Sequence, residues 1–236
     1  MNLLITLFGF LLLVAIIIVV GKKHNGADWG HSATNILDGW LRLYCRKFHR
    51  QGQAVISLPN DNKLILAANH LSAIDPFLLI AAIDRPLRFM IAKEEYDKPL
   101  LNWMFKAAGC IPVDRGGRVE KAFRSALREI EKGEIVAIFP QGGIHSIDTP
   151  RELIKPGIIK LSQLSGCTLL PVRINGIAAP GTMLKSVVLR SNISFDVNPP
   201  ISSEQALSLD FRRGISDWLI GKTESVFLKQ SSTIKK

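Results

Sequence analysis

Leu3 to Val20 forms a stretch of eighteen residues with no charged side chain, and fifteen of them are Leu, Ile, Val or Phe. As a helix rising about 1.5 Å per residue it reaches about 27 Å, close to the hydrocarbon thickness of a bilayer. At about −0.3 to −0.6 kcal/mol per such residue, insertion is favourable by several kcal/mol. A cleaved signal peptide is the competing expectation. Against it, no Lys or Arg precedes the run, the run is longer than a signal core, and Gly21-Lys22-Lys23 follows instead of a small-x-small cleavage site. The pattern predicts an uncleaved single-pass anchor over residues 1–23.

Downstream the period changes. Trp29, Ala33, Ile36, Leu37, Trp40, Leu41, Tyr44 and Phe48 recur at gaps of three to four residues, one face of a helix. Arg42, Arg46, Lys47 and Arg50 gather toward its end. Two expectations follow for residues 24–55: an amphipathic helix lying on an anionic membrane surface, or a helix packed on its own domain. From residue 56 on, short apolar runs alternate with longer helical patterns. Strands are predicted at 63–68, 87–92, 110–113, 134–139, 168–174 and 193–197, and helices at 76–83, 99–108, 118–132, 157–164 and 203–228. Such alternation predicts an α/β fold, with a largely parallel central sheet flanked by helices, as one domain over residues 56–236 behind the N-terminal transmembrane anchor helix. In the helix at 118–132, Val119, Phe123, Ala126, Leu127 and Ile130 form the apolar stripe. Arg118, Lys121, Arg124 and Arg128 point elsewhere, either into solvent or into a positive field shared with Arg115.

A chain of 236 residues that is 47% apolar supports one sizeable folded domain. The formal charge of +10 calls for an anionic partner, and the apolar span selects lipid headgroups over nucleic acid. Lys22 and Lys23, just past the span, place the body of the chain on the cytoplasmic side. Cys45, Cys110 and Cys167 lie far apart without a C-x-x-C pair, which argues against a disulfide framework or a zinc site and fits a reducing compartment.

Four segments carry candidate chemistry, each at a strand end or in the following loop, where open α/β sheets bind ligands. The first is Asn69-His70-Leu71-Ser72-Ala73-Ile74-Asp75-Pro76. Histidine suits general base work near neutral pH, and a carboxylate fixes its tautomer. A spacing of five keeps the two apart on a continuous helix; they meet if His70 lies in the turn and Asp75 opens the helix. Alternatively Asp75 only caps that helix, or Ser72 begins a capping box one turn earlier. The second segment, Gly109 to Gly117, carries Arg115 beside glycines, a side chain suited to phosphate or merely placed in a surface turn. The third, Phe139-Pro140-Gln141-Gly142-Gly143-Ile144-His145-Ser146, is rich in backbone amides. In the fourth, Leu170-Pro171-Val172, a proline interrupts an apolar strand and more often shapes a pocket than reacts. No P-loop, G-x-G-x-x-G, G-x-S-x-G or H-E-x-x-H occurs, so nucleotide, serine-hydrolase and zinc-protease readings lose their usual support.

In order and spacing the four segments resemble the glycerophospholipid acyltransferases, whose best-known members are 1-acylglycerol-3-phosphate acyltransferases. The family's N-H-x-x-x-x-D is met by Asn69, His70 and Asp75, and its G-x-x-F/P-I/V-D-R by Gly109 through Arg115. Its F-P-E-G-T-R-S is met in part by Phe139, Pro140 and Gly142, and its proline in an apolar strand by Pro171. The resemblance runs from about Leu64 to Ile174. It implies a reaction in which His70, oriented by Asp75, takes the proton of an acceptor hydroxyl as that oxygen attacks an acyl thioester. Acyl-CoA or acyl-carrier protein would be the donor, Arg115 would hold the acceptor phosphate, and neither metal nor cofactor is expected. Gln141, Gly142, Gly143 and His145 fall on the acceptor side; Asn69, Ser72 and Pro171 support. The chain departs from the family where Gln141 replaces Glu and Gly143-Ile144 replaces Thr-Arg. A neutral amide exchanges hydrogen bonds but carries no carboxylate charge, so the acceptor is less defined than the reaction. A different lipid acceptor, and a non-catalytic anionic-lipid-binding protein, stand as alternatives. Residues 99–108, with Leu100, Leu101, Trp103, Met104 and Phe105, read as core, or else as the lining of an acyl tunnel.

Overall fold

The computed structural model describes residues 2–53, 56–61, 63–117, 119–144, 154–208, 211–224 and 226. Six strands form one sheet: β1 (Leu64–Ala68), β2 (Leu87–Ala92), β3 (Ile111–Val113), β4 (Ile135–Ile138), β5 (Thr168–Asn175) and β6 (Ser194–Val197). Their order is β3-β2-β4-β1-β5-β6, with β1 to β5 mutually parallel and β6 antiparallel to β5. The mostly parallel sheet flanked by helices is the α/β architecture expected. All five residues of β1 are buried, as a central strand covered on both faces requires.

The helices are α1 (Asn2–His24), α2 (Ser32–Lys47), α3 (Asp75–Ala82), α4 (Lys93–Tyr96), α5 (Pro99–Ala107), α6 (Val119–Glu131), α7 (Gly157–Ser165), α8 (Leu184–Val188) and α9 (Phe211–Leu219). Because side chains alternate along a strand, β1 feeds two cores. Leu64, Leu66 and Ala68 pack with Leu78 and Leu79 of α3 on one face. Ile65 and Ala67 pack with Ala126 and Ile130 of α6, Ile158 of α7 and Ile215 of α9 on the other. The stripe read into α6 faces this second core, while Lys121, Arg124 and Arg128 are exposed; Arg118 lies outside the described residues.

Three expectations are corrected. The helix at 203–228 is not continuous: a 3-10 turn at Gln205–Leu207 precedes the separate α9. Ser202 and Gln205 cap each other, with Gln205 N donating to Ser202 Oγ at 3.2 Å and Ser202 N to Gln205 Oε1 at 2.9 Å. Gly221, at φ +75°, stops α9 in a left-handed conformation that suits glycine. Residues 99–108 form core only in part: Phe105 and Ala108 pack against it. In α5 no residue is buried, and Leu100 and Trp103 are 87% and 58% exposed. Arg42 does not join a basic outer face either. It is buried, donating from Nε to Asp38 Oδ2 at 2.6 Å and from Nη2 to Ile83 O at 2.7 Å, which ties α2 to the end of α3. Through Arg42, α2 packs on its own domain.

The α1 helix, 22 residues of which are long and apolar enough to cross a membrane, packs antiparallel on α2 through glycine. A Cβ built on Gly39 would lie 1.8 Å from Gly21 O, and one built on Gly21 would lie 2.6 Å from the Ile36 side chain. The backbones therefore touch, and Trp40 Nε1 donates to Ile17 O at 3.0 Å alongside. The short helices α4 and α8 were not anticipated.

Candidate active site

The carboxyl ends of the parallel strands share one edge, and the segment leaving β1 there carries His70. The chain turns sharply over 69–74, and Asp75 opens α3 with Pro76 in its first turn, where the missing N–H costs nothing. In this turn His70 Nδ1 lies 2.8 Å from Asp75 Oδ2. Asp75 is buried and fully engaged: Oδ2 also accepts from Leu71 N at 2.6 Å and Ser72 N at 2.9 Å, while Oδ1 accepts from Ser72 Oγ at 2.6 Å. Asp75 therefore does not cap α3, whose N-cap is Ile74 without a side-chain hydrogen bond; its carboxylate instead holds the turn that carries His70. Nδ1 as the donor to Asp75 leaves Nε2 with a free lone pair, and the His70 side chain is 18% exposed.

The ring is held from the side as well. Phe139, at the end of β4, stacks on His70 with centroids 4.2 Å apart and 15° between planes, and Phe89 of β2 continues the stack at 5.9 Å. From the next turn, buried Gln141 accepts the His70 backbone N–H on Oε1 at 2.7 Å. Gly142 takes φ +83° to make that turn, closed by Gly142 N donating to Phe139 O at 3.0 Å. Asn69 anchors the other flank. Its Nδ2 donates to Ile174 O at 3.0 Å and its Oδ1 accepts from Ile174 N at 2.7 Å, so a side chain extends the β1–β5 ladder. Pro171 pairs with Ala67 in β5, just before antiparallel pairing with β6 begins at Val172.

Asn69, His70, Ser72, Asp75, Gln141 and Gly142 thus converge. Arg115 does not touch them: it is exposed beyond β3, on the same edge but three strands from β1, roughly 14 Å at about 4.8 Å per strand. Gly143 is partly exposed with open space beside it. His145 lies outside the described residues. Sequence reading missed the loop after β5, where Gly181 N donates to Leu71 O at 2.7 Å beside the histidine. It also missed Phe139 as the ring that buttresses His70. Among the described residues no three His, Cys, Asp or Glu side chains gather.

Gln141 here does structural work through its carbonyl oxygen, a role an amide fills as well as a carboxylate. Gln141→Leu should leave the His70 N–H unsatisfied, a cost of about 1–3 kcal/mol at that turn. We expect the same substitution to lower turnover, whereas Gln141→Glu, which keeps the acceptor oxygen, retains it; side-by-side kinetics of the two variants check this.

The acyltransferase family model matches residues 51–175, more than half of the chain. The chain is 26% identical over 121 residues to a 1-acyl-sn-glycerol-3-phosphate acyltransferase of Bacillus subtilis, covering 51% of this chain and 59% of the relative. It is 29% identical over 186 residues to an N-acylphosphatidylethanolamine synthase of Arabidopsis thaliana, covering 67% and 64%. The alignments thus span about three fifths of these relatives' lengths. A crystal structure of the 1-acyl-sn-glycerophosphate acyltransferase PlsC from Thermotoga maritima has the same fold, with TM-score 0.60, 19% identity and 92% of each chain covered.

Proposed function

The chain belongs to the acyltransferase family, and from that premise we propose that it transfers a fatty acyl group from a thioester to the hydroxyl of a lysophospholipid, 1-acylglycerol-3-phosphate above others. The observation that carries the reading is the His70–Asp75 pair, with Nδ1 held at 2.8 Å and Nε2 directed away from the carboxylate. Nε2 takes the proton of the acceptor hydroxyl as its oxygen attacks the thioester carbonyl. The tetrahedral intermediate then collapses, the C–S bond breaks, and the imidazolium returns the proton to the departing thiolate. Asp75 stabilises the imidazolium between the two steps. No acyl-enzyme forms, and the residues named need no metal or cofactor.

Arg115 fits as the partner of the acceptor phosphate, as an exposed guanidinium on the edge that bears His70. Gln141, Gly142 and Gly143 shape the turn beside the histidine and form the acceptor side. The donor is acyl-CoA or acyl-carrier protein. Lys22 and Lys23 at the end of α1 support a membrane protein whose body lies in the cytoplasm.

A second reading, an acceptor with a larger headgroup, draws on Gln141 and on the likeness to an N-acylphosphatidylethanolamine synthase. An acceptor panel separates the two. Full-length protein given acyl-CoA should release free thiol fastest with lysophosphatidic acid, and slowly with lysophosphatidylethanolamine, lysophosphatidylcholine or phosphatidylethanolamine. The reverse ranking would establish the second reading, and no thiol release with any acceptor and either donor would remove both.

A further inference from the structure

Two groups of large apolar side chains lie exposed on the body of the protein and take no part in the site described. One is α8, where Leu184 and Val188 are 82% and 69% exposed and Met183 and Leu189 are exposed beside them. The other is the start of α5, with Leu100 in its first turn and Trp103 opening the second. Exposed leucines are common singly, but these form two ridges, and their place in the fold relates them. Helix α8 joins β5 to β6 and so sits at the carboxyl edge, while α5 begins just past the carboxyl end of β2. In the sheet order β2 and β5 stand on opposite sides of β1, so the two ridges flank His70.

Helix α1 meets the same edge. Ile17 and Gly21 lie against Trp40 and Gly39, so α1 runs antiparallel to α2. The last turn of α2 leads to Phe48, His49 and Arg50, which bond to Arg190, Ile193 and Asn192 just before β6. The α2 carboxyl end is therefore level with the catalytic edge. From Trp40 to Lys47 is about 10 Å of helix, whereas from Ile17 back to Leu3 is about 21 Å, so α1 projects roughly 10 Å past that edge. Residues 11–20 of its apolar run lie alongside α2 yet remain largely exposed. Lipid can cover the projecting residues 3–10 only if the edge itself descends to the headgroups.

We propose that α8 and the start of α5 are membrane-docking elements that enter the bilayer interface on either side of His70, completing with α1 a three-point seat. The occupant is the lipid surface. The ridges continue the apolar surface of α1, and exposed Lys185 and Arg190 beside Leu184 and Val188 suit anionic headgroups. Helix α8 is also tied inward. Val187 O accepts from Tyr44 Oη of α2, and in the same loop Gly181 N donates to Leu71 O next to His70. Seating α8 in lipid thus positions the loop beside the histidine against the layer that holds the acceptor.

The test uses full-length protein in vesicles of phosphatidylglycerol and phosphatidylcholine. Leu12→Cys in α1, Leu184→Cys in α8, Leu100→Cys in α5 and Leu207→Cys near the opposite edge are each labelled with an environment-sensitive fluorophore. The three native cysteines are buried, and burial pushes the Cys45 and Cys110 thiols up to about 12, so the label goes to the introduced thiol. Nitroxide lipids should quench positions 184 and 100 at least about threefold more than position 207, as an interfacial depth of about 5–10 Å demands. Quenching at position 12 alone would overturn the docking and keep α1 as a membrane helix. Loss of quenching at 12, 184 and 100 together would overturn both. A blue shift at 184 that follows protein concentration and ignores nitroxide lipid would assign the ridges to a second copy of the chain and also overturn the docking. None of these readouts depends on catalysis, so failure of the acyl-transfer reading leaves them interpretable.

Discussion

His70→Ala should lower kcat by about 10²- to 10⁴-fold, the usual contribution of a positioned general base. That range corresponds to about 2.7–5.5 kcal/mol of transition-state stabilisation. The fold should survive, because Asp75 keeps Leu71 N, Ser72 N and Ser72 Oγ as donors once the ring is gone. The lost stacking on Phe139 leaves an opening at a partly exposed rim, not a closed cavity. Loss of activity without loss of folding distinguishes a chemical role from a structural one. Thiol release from acyl-CoA and thermal unfolding, measured on one preparation, check both halves. A variant within tenfold of the unsubstituted protein would sink the proposed role of His70. Asp75→Asn should fall in the same direction and, unlike His70→Ala, also destabilise, since an amide cannot accept on both atoms from the three donors that surround it.

Asp38→Ala should cost about 3–5 kcal/mol of stability, the usual penalty for leaving one member of a buried ion pair uncompensated. Arg42 is buried with its partner, and Asp38 does more than balance its charge. Asp38 Oδ2 accepts from Gly26 N at 2.9 Å and Oδ1 from Trp29 Nε1 at 3.1 Å, which fixes the turn between α1 and α2. Removal therefore strands a guanidinium and two N–H groups together. Denaturant unfolding in detergent measures the loss, and Asp38→Ala with Arg42→Met should recover part of it because no charge is then left buried. An unchanged unfolding midpoint for the single variant would show that water reaches the pair.

Much of this arrangement was legible in the sequence, and the exceptions share a cause. The strands lie within two residues of their expected bounds because runs such as Leu64–Ala68, buried on both faces, have one stable home in an α/β sheet. The meeting of His70 and Asp75 was one of the outcomes left open by the Asp-Pro pair, and it needed the turn that the structure shows. What pattern alone could not supply was the partner across space. Arg42 read as one of several exposed basic residues, although Asp38 four residues earlier on the same helix was the signal that it could be buried. Residues 99–108 read as core because apolar content does not say which side faces inward: Phe105 and Ala108 pack on the core, whereas Leu100 and Trp103 are exposed. Asn69 and Ile174 are 105 positions apart, so their paired hydrogen bonds exist only in the fold. The helix at 203–228 failed at Ser208, whose extended backbone ends the 3-10 turn, and at Gly221, whose left-handed conformation follows α9.

The contact of Gly21 with Gly39 has a mechanical consequence. Two helices whose backbones touch have no soft layer between them, so α1 is a rigid lever on the body and not a tether. A tilt of α1 in the lipid, which a loosely attached helix would make alone, must here rotate α2, α3 and the histidine turn with it. In the proposed seating, the tilt of α1 would then set how His70 faces the lipid surface.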